Sequence, residues 1–203
     1  MIRCAVCRAE MESGSAICPQ CGALQPFDPS LSLFAVLGLE EGFAIDSAAL
    51  RSASLERLRA LHPDRFARAD GRTQRQSLEW TTRINEAQAI LGDPLRRGDY
   101  LFSRHFGHSA LGEEMGSLRD PELLMRQMER REALEDAAAI RDQAALDRLR
   151  TAAQAEEKQI EAELAAAFTT PEAGRIAPLL QEWQYLRKFL AEIDQYEEQW
   201  DFA

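Results

Sequence analysis

Four cysteines stand at positions 4, 7, 18 and 21, and none follows in the rest of the 203-residue chain. Two residues separate the members of each pair, so each pair can curl round one ion on a tight turn. Two such turns supply the four thiolates of a tetrahedral metal site. Pro19 stiffens the second turn and Gly22 gives it conformational freedom. The spacing therefore predicts a small zinc-knuckle module over residues 1–24, with Cys4, Cys7, Cys18 and Cys21 as ligands. Zinc is the expected ion, and iron fits the same four sulfurs. Paired structural disulfides would require an oxidising compartment. A redox-active pair would need a thiol at a helix N-terminus, a setting that this stretch lacks. With four thiolates committed, the module offers no open coordination position for catalysis.

Beyond the module the pattern becomes helical. Residues 24–32 carry Pro26 and Pro29 and read as a linker. A short apolar run from Leu33 stops at Gly38. A second helix starts at an Asp46 or Ser47 cap and ends at Pro63. A polar connection over residues 64–72 precedes Trp80, Ile84, Ala87 and Leu91, spaced four, three and four apart as on one helix face. Gly92-Asp93-Pro94 ends that helix, and a shorter one runs from Leu95 to Phe106. The glycines between 107 and 116 mark a junction. Asp120 then caps a helix expected over residues 121–139. Two longer apolar stripes follow: Leu146, Leu149, Ala153, Ile160, Leu164 and Phe168, then Leu179, Trp183, Leu186, Leu190, Ile193 and Trp200. Thr169-Thr170-Pro171 separates them, which favours an antiparallel arrangement. The expected fold is mostly α: the zinc-knuckle module, a helical hairpin over residues 31–106 and a three-helix bundle over residues 118–203.

Charge divides the chain unevenly. Residues 1–110 hold 13 basic and 13 acidic side chains, whereas residues 111–203 hold 11 and 21, so the net −10 resides in the second part. That sign argues against duplex nucleic acid or an anionic membrane as the main partner. No apolar run approaches the roughly 20 residues of a membrane span, and no signal pattern precedes Cys4. A cytoplasmic protein is the expectation, and a mature mitochondrial chain would read the same.

The connection after the second helix reads Leu61-His62-Pro63-Asp64-Arg65-Phe66. With helices on either side, and with Ile84-Asn85-Glu86-Ala87-Gln88-Ala89-Ile90-Leu91 followed by Asp93-Pro94-Leu95-Arg96-Arg97 and Tyr100-Leu101, this stretch resembles a J-domain. The resemblance implies that His62, Pro63 and Asp64 contact an ATPase chaperone of the DnaK or HscA class, helped by Arg51, Arg57 and Arg59 on the preceding helix. These arginines meet only Glu56 there, and local sign steers docking more than total charge does. The hydrolysis would belong to the partner, because this chain has no phosphate-binding loop.

From Asp120 to Glu135 the sequence reads Asp-Pro-Glu-Leu-Leu-Met-Arg-Gln-Met-Glu-Arg-Arg-Glu-Ala-Leu-Glu, and here the chain resembles the HscB family of co-chaperones for iron–sulfur cluster assembly. The resemblance extends from about Leu33 to Asp201-Phe202. It implies a non-enzymatic adaptor whose bundle binds an IscU-type cluster scaffold protein through Leu124, Met125, Met128, Glu129, Glu132 and Tyr185. Helical spacing lets Leu124, Met125, Met128, Glu129 and Glu132 share one surface, although Leu124 and Met128 could equally belong to the bundle core. Many bacterial members of the family begin directly at the J-domain, so the cysteine module is a departure. A metal- or redox-responsive regulator, with the cysteines as sensor, is the competing reading. A hydrolase centred on His105 and His108 finds no nucleophile or carboxylate to complete it.

Overall fold

In the computed structural model, residues 2–12, 14–112 and 121–201 are described; Asp120, the expected helix cap, and Phe202 lie outside them. The chain divides between Arg97 and Gly98 into two compact units.

The first unit begins with two short strands, β1 (Ile2–Arg3) and β2 (Glu10–Met11), paired antiparallel with Ile2 opposite Met11. Helices α1 (Leu33–Leu37), α2 (Ser47–Leu61) and α3 (Gly71–Leu91) follow, with a 3-10 turn over Pro63–Phe66. Local chemistry sets these ends. Ser32 accepts from the Ala35 amide to start α1, and Gly38 ends it at φ 73°, in the left-handed region that glycine enters without penalty. Asp46 caps α2. Asp70 caps α3 through the amides of Arg72 and Thr73, which holds its carboxyl below the usual range. Because Asp70 can cap, α3 begins two turns ahead of its first core residue, inside the stretch expected to be a polar connection.

Trp80, Ile84, Ala87 and Leu91 are all buried, as their spacing predicts. They face α1 and α2, where Leu33, Phe34, Leu37 and Leu61 complete the core. Burying a leucine or isoleucine side chain contributes about 1.5–3 kcal/mol, so each of these contacts adds appreciably to the unit's cohesion. Arg97 closes the end of α3: its Nη1 donates to the Leu91 carbonyl at 2.6 Å, and its guanidinium lies over the Phe43 ring.

Helix α4 (Pro94–Phe106) contains the division between the units. In the second unit, the Asp99 carboxylate accepts from the Ser109 hydroxyl and the Ala110 amide, tying down the turn beyond Gly107. Helices α5 (Pro121–Ala139), α6 (Gln143–Ala167) and α7 (Ala173–Asp201) form the bundle, in which α6 and α7 pack along most of their lengths. Only Ile140, Arg141 and Asp142 join α5 to α6. Arg141 takes φ 54°, and Asp142 caps α6.

The α6 stripe is buried at Leu146, Ala153, Ile160 and Leu164. The α7 stripe is rotated from its expected setting. Ile176, Leu180, Trp183, Leu186, Phe189 and Ile193 are buried, whereas Leu179, Leu190 and Trp200 are only half-buried. Leucines occur on both sides of this helix, so spacing alone places the stripe's edge poorly. Among the described residues, no helix is long and apolar enough to cross a membrane.

Candidate functional site

The four cysteine sulfurs lie within 4.8 Å of one another. Sγ of Cys4 is 3.7 Å from that of Cys21, and Sγ of Cys7 is 3.7 Å from that of Cys18. These separations are far longer than a disulfide bond and match the about 3.8 Å edge of a tetrahedron with zinc–sulfur distances near 2.3 Å. The donor set and its spacing thus fit a tetrahedral thiolate metal site.

Two equivalent turns build the cluster. In the first, the Cys4 amide donates to the Ala9 carbonyl and the Arg8 amide to the Cys4 carbonyl. In the second, the Cys18 amide donates to the Ala23 carbonyl and the Gly22 amide to the Cys18 carbonyl. The shared geometry requires a left-handed residue at the same place, filled by Gly22 at φ 71° and by Arg8 at φ 65°. An arginine there carries steric strain of roughly 1–2 kcal/mol that a glycine does not.

Amide donors surround the Cys4 sulfur. The backbone N–H of Cys7 pulls the Cys4 thiol down to about 6 against the opposing effect of burial, with the Val6 amide assisting. Against the downward pull of the Ala9 amide, burial and the sulfurs of Cys21, Cys4 and Cys18 push Cys7 up to about 12. A cation bound among four sulfurs this close offsets the repulsion between the thiolates that hold it.

The His-Pro-Asp tripeptide lies between α2 and α3. Its entry is fixed from α3: the buried Ser77 hydroxyl donates to the Leu61 carbonyl at 2.7 Å, and the Thr81 hydroxyl donates to it at 3.3 Å. His62 then turns outward. Its Nδ1 accepts from the Asp64 amide at 3.3 Å and lies 3.6 Å from the Asp64 carboxylate, whose side chain is 90% exposed. Arg51 and Arg59 are exposed on α2. Arg57 is not grouped with them: it points about 160° round the helix from Arg59, half-buried, with its guanidinium against Gly38.

On α5 the side chains of Leu124, Met125 and Met128 are 44%, 61% and 63% exposed, which settles their place on the surface rather than in the core. Glu129 and Glu132 are exposed beside them. The opposite side of α5 is anchored in the bundle. Arg130 pairs with Glu182 at 2.7 Å and also with Glu156, while Gln127 donates to Glu182 at 3.0 Å. The Tyr185 hydroxyl donates to the Gln127 carbonyl at 2.9 Å, and its ring lies under Arg130. Burial pushes the Tyr185 hydroxyl's pKa up. Tyr185 is therefore half-buried against the anchored side of α5.

Other groupings do not converge. His108 packs edge-on against Phe102, and His105 lies near Phe106 and Phe168. Several positioning groups escaped the sequence reading. Ser77 continues the spacing of the α3 stripe but is polar, Thr81 lies at the stripe's edge, and Gln25 sits among the prolines of a linker. Only the loop's need to have its carbonyls satisfied hints at them.

Comparison with known proteins adds a consistent picture. Residues 119–194 match the model of the HSCB C-terminal oligomerisation domain. A curated co-chaperone protein HscB homolog from Paraburkholderia phymatum is 37% identical over 162 residues, covering 80% of this chain and 91% of its own length. The crystal structure of human co-chaperone protein HscB covers 96% of this chain and 98% of its own, with a TM-score of 0.83 at 26% identity. The chaperone HscB from Vibrio cholerae covers 83% and 99%, with a TM-score of 0.70 at 30% identity.

Proposed function

The chain belongs to the HscB family of co-chaperones, and on that premise we propose that it stimulates the ATPase of a DnaK- or HscA-class chaperone and delivers an IscU-type iron–sulfur scaffold protein to it. The observation that carries this reading is the presence, on one chain, of an outward-facing His62-Pro63-Asp64 loop and an exposed Leu124-Met125-Met128 patch. The loop is held at its root and open at its tip, as a docking element must be. The J-domain spans residues 31–106. His62, Pro63 and Asp64 meet the chaperone, and Arg51 and Arg59 face its acidic surface. Arg57 contributes to the local positive field from behind, because Gly38 covers it.

The bundle, residues 118–203, receives the scaffold. Leu124, Met125 and Met128 provide adaptable apolar contact, and Glu129 and Glu132 favour a basic counter-surface. Tyr185 supports α5 from behind through Gln127 and Arg130 and so contributes to scaffold binding by holding the patch in place. The chain performs no catalysis of its own; the partner cleaves the nucleotide. The module over residues 1–24 holds one zinc through Cys4, Cys7, Cys18 and Cys21, and the ion supplies a structural cross-link between the two turns. The protein works in the cytoplasm.

A coupled ATPase assay with the cognate chaperone tests the reading. The intact protein should accelerate hydrolysis and His62→Gln should abolish the acceleration; undiminished stimulation by the variant would sink it. Anaerobic metal analysis tests the module against the sensor alternative. One tightly held zinc that survives mild oxidant supports the structural role, and reversible metal loss supports sensing.

A further inference from the structure

Gln25 is 4% exposed, an unusual place for an uncharged amide in a proline-flanked linker. Every polar atom of the residue has a partner. Its Oε1 accepts from the Ala5 amide at 2.8 Å, and its Nε2 donates to the Ala23 carbonyl at 2.8 Å and to the Cys4 sulfur at 3.4 Å. Its own amide donates to the Ala16 carbonyl at 2.7 Å. These partners fix which end of the side-chain amide is which. Only oxygen can accept from Ala5 and only nitrogen can donate to Ala23, so a true N–H points at the Cys4 sulfur.

The side chain also spans both cysteine turns. Ala5 lies in the first, between the two ligands of its pair, and Ala23 lies just past the second. One buried amide thus clamps the turns together at the spacing that a tetrahedral ion requires. The backbone of the same residue reaches elsewhere. Its carbonyl accepts from the Trp80 indole N–H at 3.0 Å, and the Phe27 ring packs edge-on against Trp80 at 5.0 Å. Trp80 is 1% exposed and opens the apolar stripe of α3.

We infer that Gln25 is a positioning residue that presets the four sulfurs for a metal ion and couples their occupancy to the core of the first unit through Trp80. The inference rests on the metal reading given above. Its physical basis is twofold. A clamp already in place removes the ordering that the apo turns would otherwise undergo on binding. An N–H donated to a thiolate withdraws electron density from it, as two backbone amides do at the same sulfur. Loss of the ion removes the cross-link between the two turns that Gln25 spans, which loosens its side chain and hence the carbonyl that Trp80 uses.

The test uses the full-length chain and Gln25→Met, which fills similar volume without a donor. Zinc affinity is read by competition with a chromophoric chelator. The cobalt(II) forms report on the sulfurs through their thiolate-to-metal charge-transfer absorption. Gln25→Met should bind zinc about tenfold more weakly, and its charge-transfer band should move to lower energy. A purely structural role would leave that band in place. In the native chain, stripping the metal should weaken exchange protection of the Trp80 indole N–H, assigned by its through-space contacts to Phe27. This last measurement needs no variant, so a failure of Gln25→Met to fold does not end the test. Affinity within twofold of native, an unmoved band, or a Trp80 indole indifferent to metal removal would overturn the inference while leaving the metal site standing. A native chain that takes up neither zinc nor cobalt would overturn the metal reading and the inference together.

Discussion

Ser77 on α3 donates its buried hydroxyl to the carbonyl oxygen of Leu61, the residue immediately before His62. The last carbonyls of a helix have no partner within it, and here a side chain from the neighbouring helix supplies one. Ser77→Ala would leave Leu61 with only the longer bond from Thr81. It should destabilise the first unit by about 1–2 kcal/mol and lower chaperone stimulation, while scaffold affinity stays unchanged. Urea unfolding together with the two binding assays would check this. Equal loss in both assays would mean that the effect is not confined to the loop.

The surface position of Leu124, Met125 and Met128 separates binding from stability. Their joint replacement by alanine should change the unfolding free energy of the bundle by less than about 1 kcal/mol and weaken scaffold binding at least tenfold. Leu134→Ala, at a position 1% exposed on the same helix, should instead cost about 2–5 kcal/mol. Calorimetric titration and thermal unfolding of the two variants make the comparison direct.

Acidity should act on the bundle through Glu197. Its bond with Arg150, aided by Gln143, holds its carboxyl below the ordinary value of 4.5. A depressed carboxyl stabilises the folded state above its unfolded pKa, and that contribution is lost as pH falls through the lower folded value. Relative to Glu197→Gln, the native bundle should be more stable by about 1 kcal/mol at neutral pH. The gap should close below about pH 4, as followed by helical circular dichroism in urea. A gap that persists in acid would show that the carboxylate is not its source.

Arg8 offers a change in the opposite direction. It holds a left-handed conformation that the equivalent turn assigns to Gly22. Arg8→Gly should stabilise the loaded module by about 0.5–1 kcal/mol, visible as slower zinc release to excess chelator. Faster release would mean that the arginine side chain contributes more than its backbone strain costs.

Much of this was legible in the sequence, for identifiable reasons. Cys-x-x-Cys spacing dictates its own geometry, so the cluster formed where expected. The α3 stripe has one clear apolar side, and all four of its residues are buried. The α7 stripe was misjudged at Leu179, Leu190 and Trp200 because that helix carries apolar residues nearly all round. Arg57 was grouped with Arg51 and Arg59 as a basic residue of α2, since a one-dimensional pattern does not reveal that its guanidinium lies against Gly38. Gln25 was invisible for a related reason. Its partners lie 20, 21 and 55 positions away, and no local periodicity encodes bonds of that range.

The anchoring of α5 governs how fast its patch can be used. Arg130 and Gln127 tie one side of the helix to Glu182, and Tyr185 holds its backbone, contacts that oppose any roll of the helix that would turn its methionines inward. On the proposed scaffold-binding role, collision should require no prior rearrangement, and the association rate should be set by diffusion and by the field of Glu129 and Glu132. Raising the ionic strength should therefore slow arrival and leave the lifetime of the complex, governed by the apolar contact, nearly untouched.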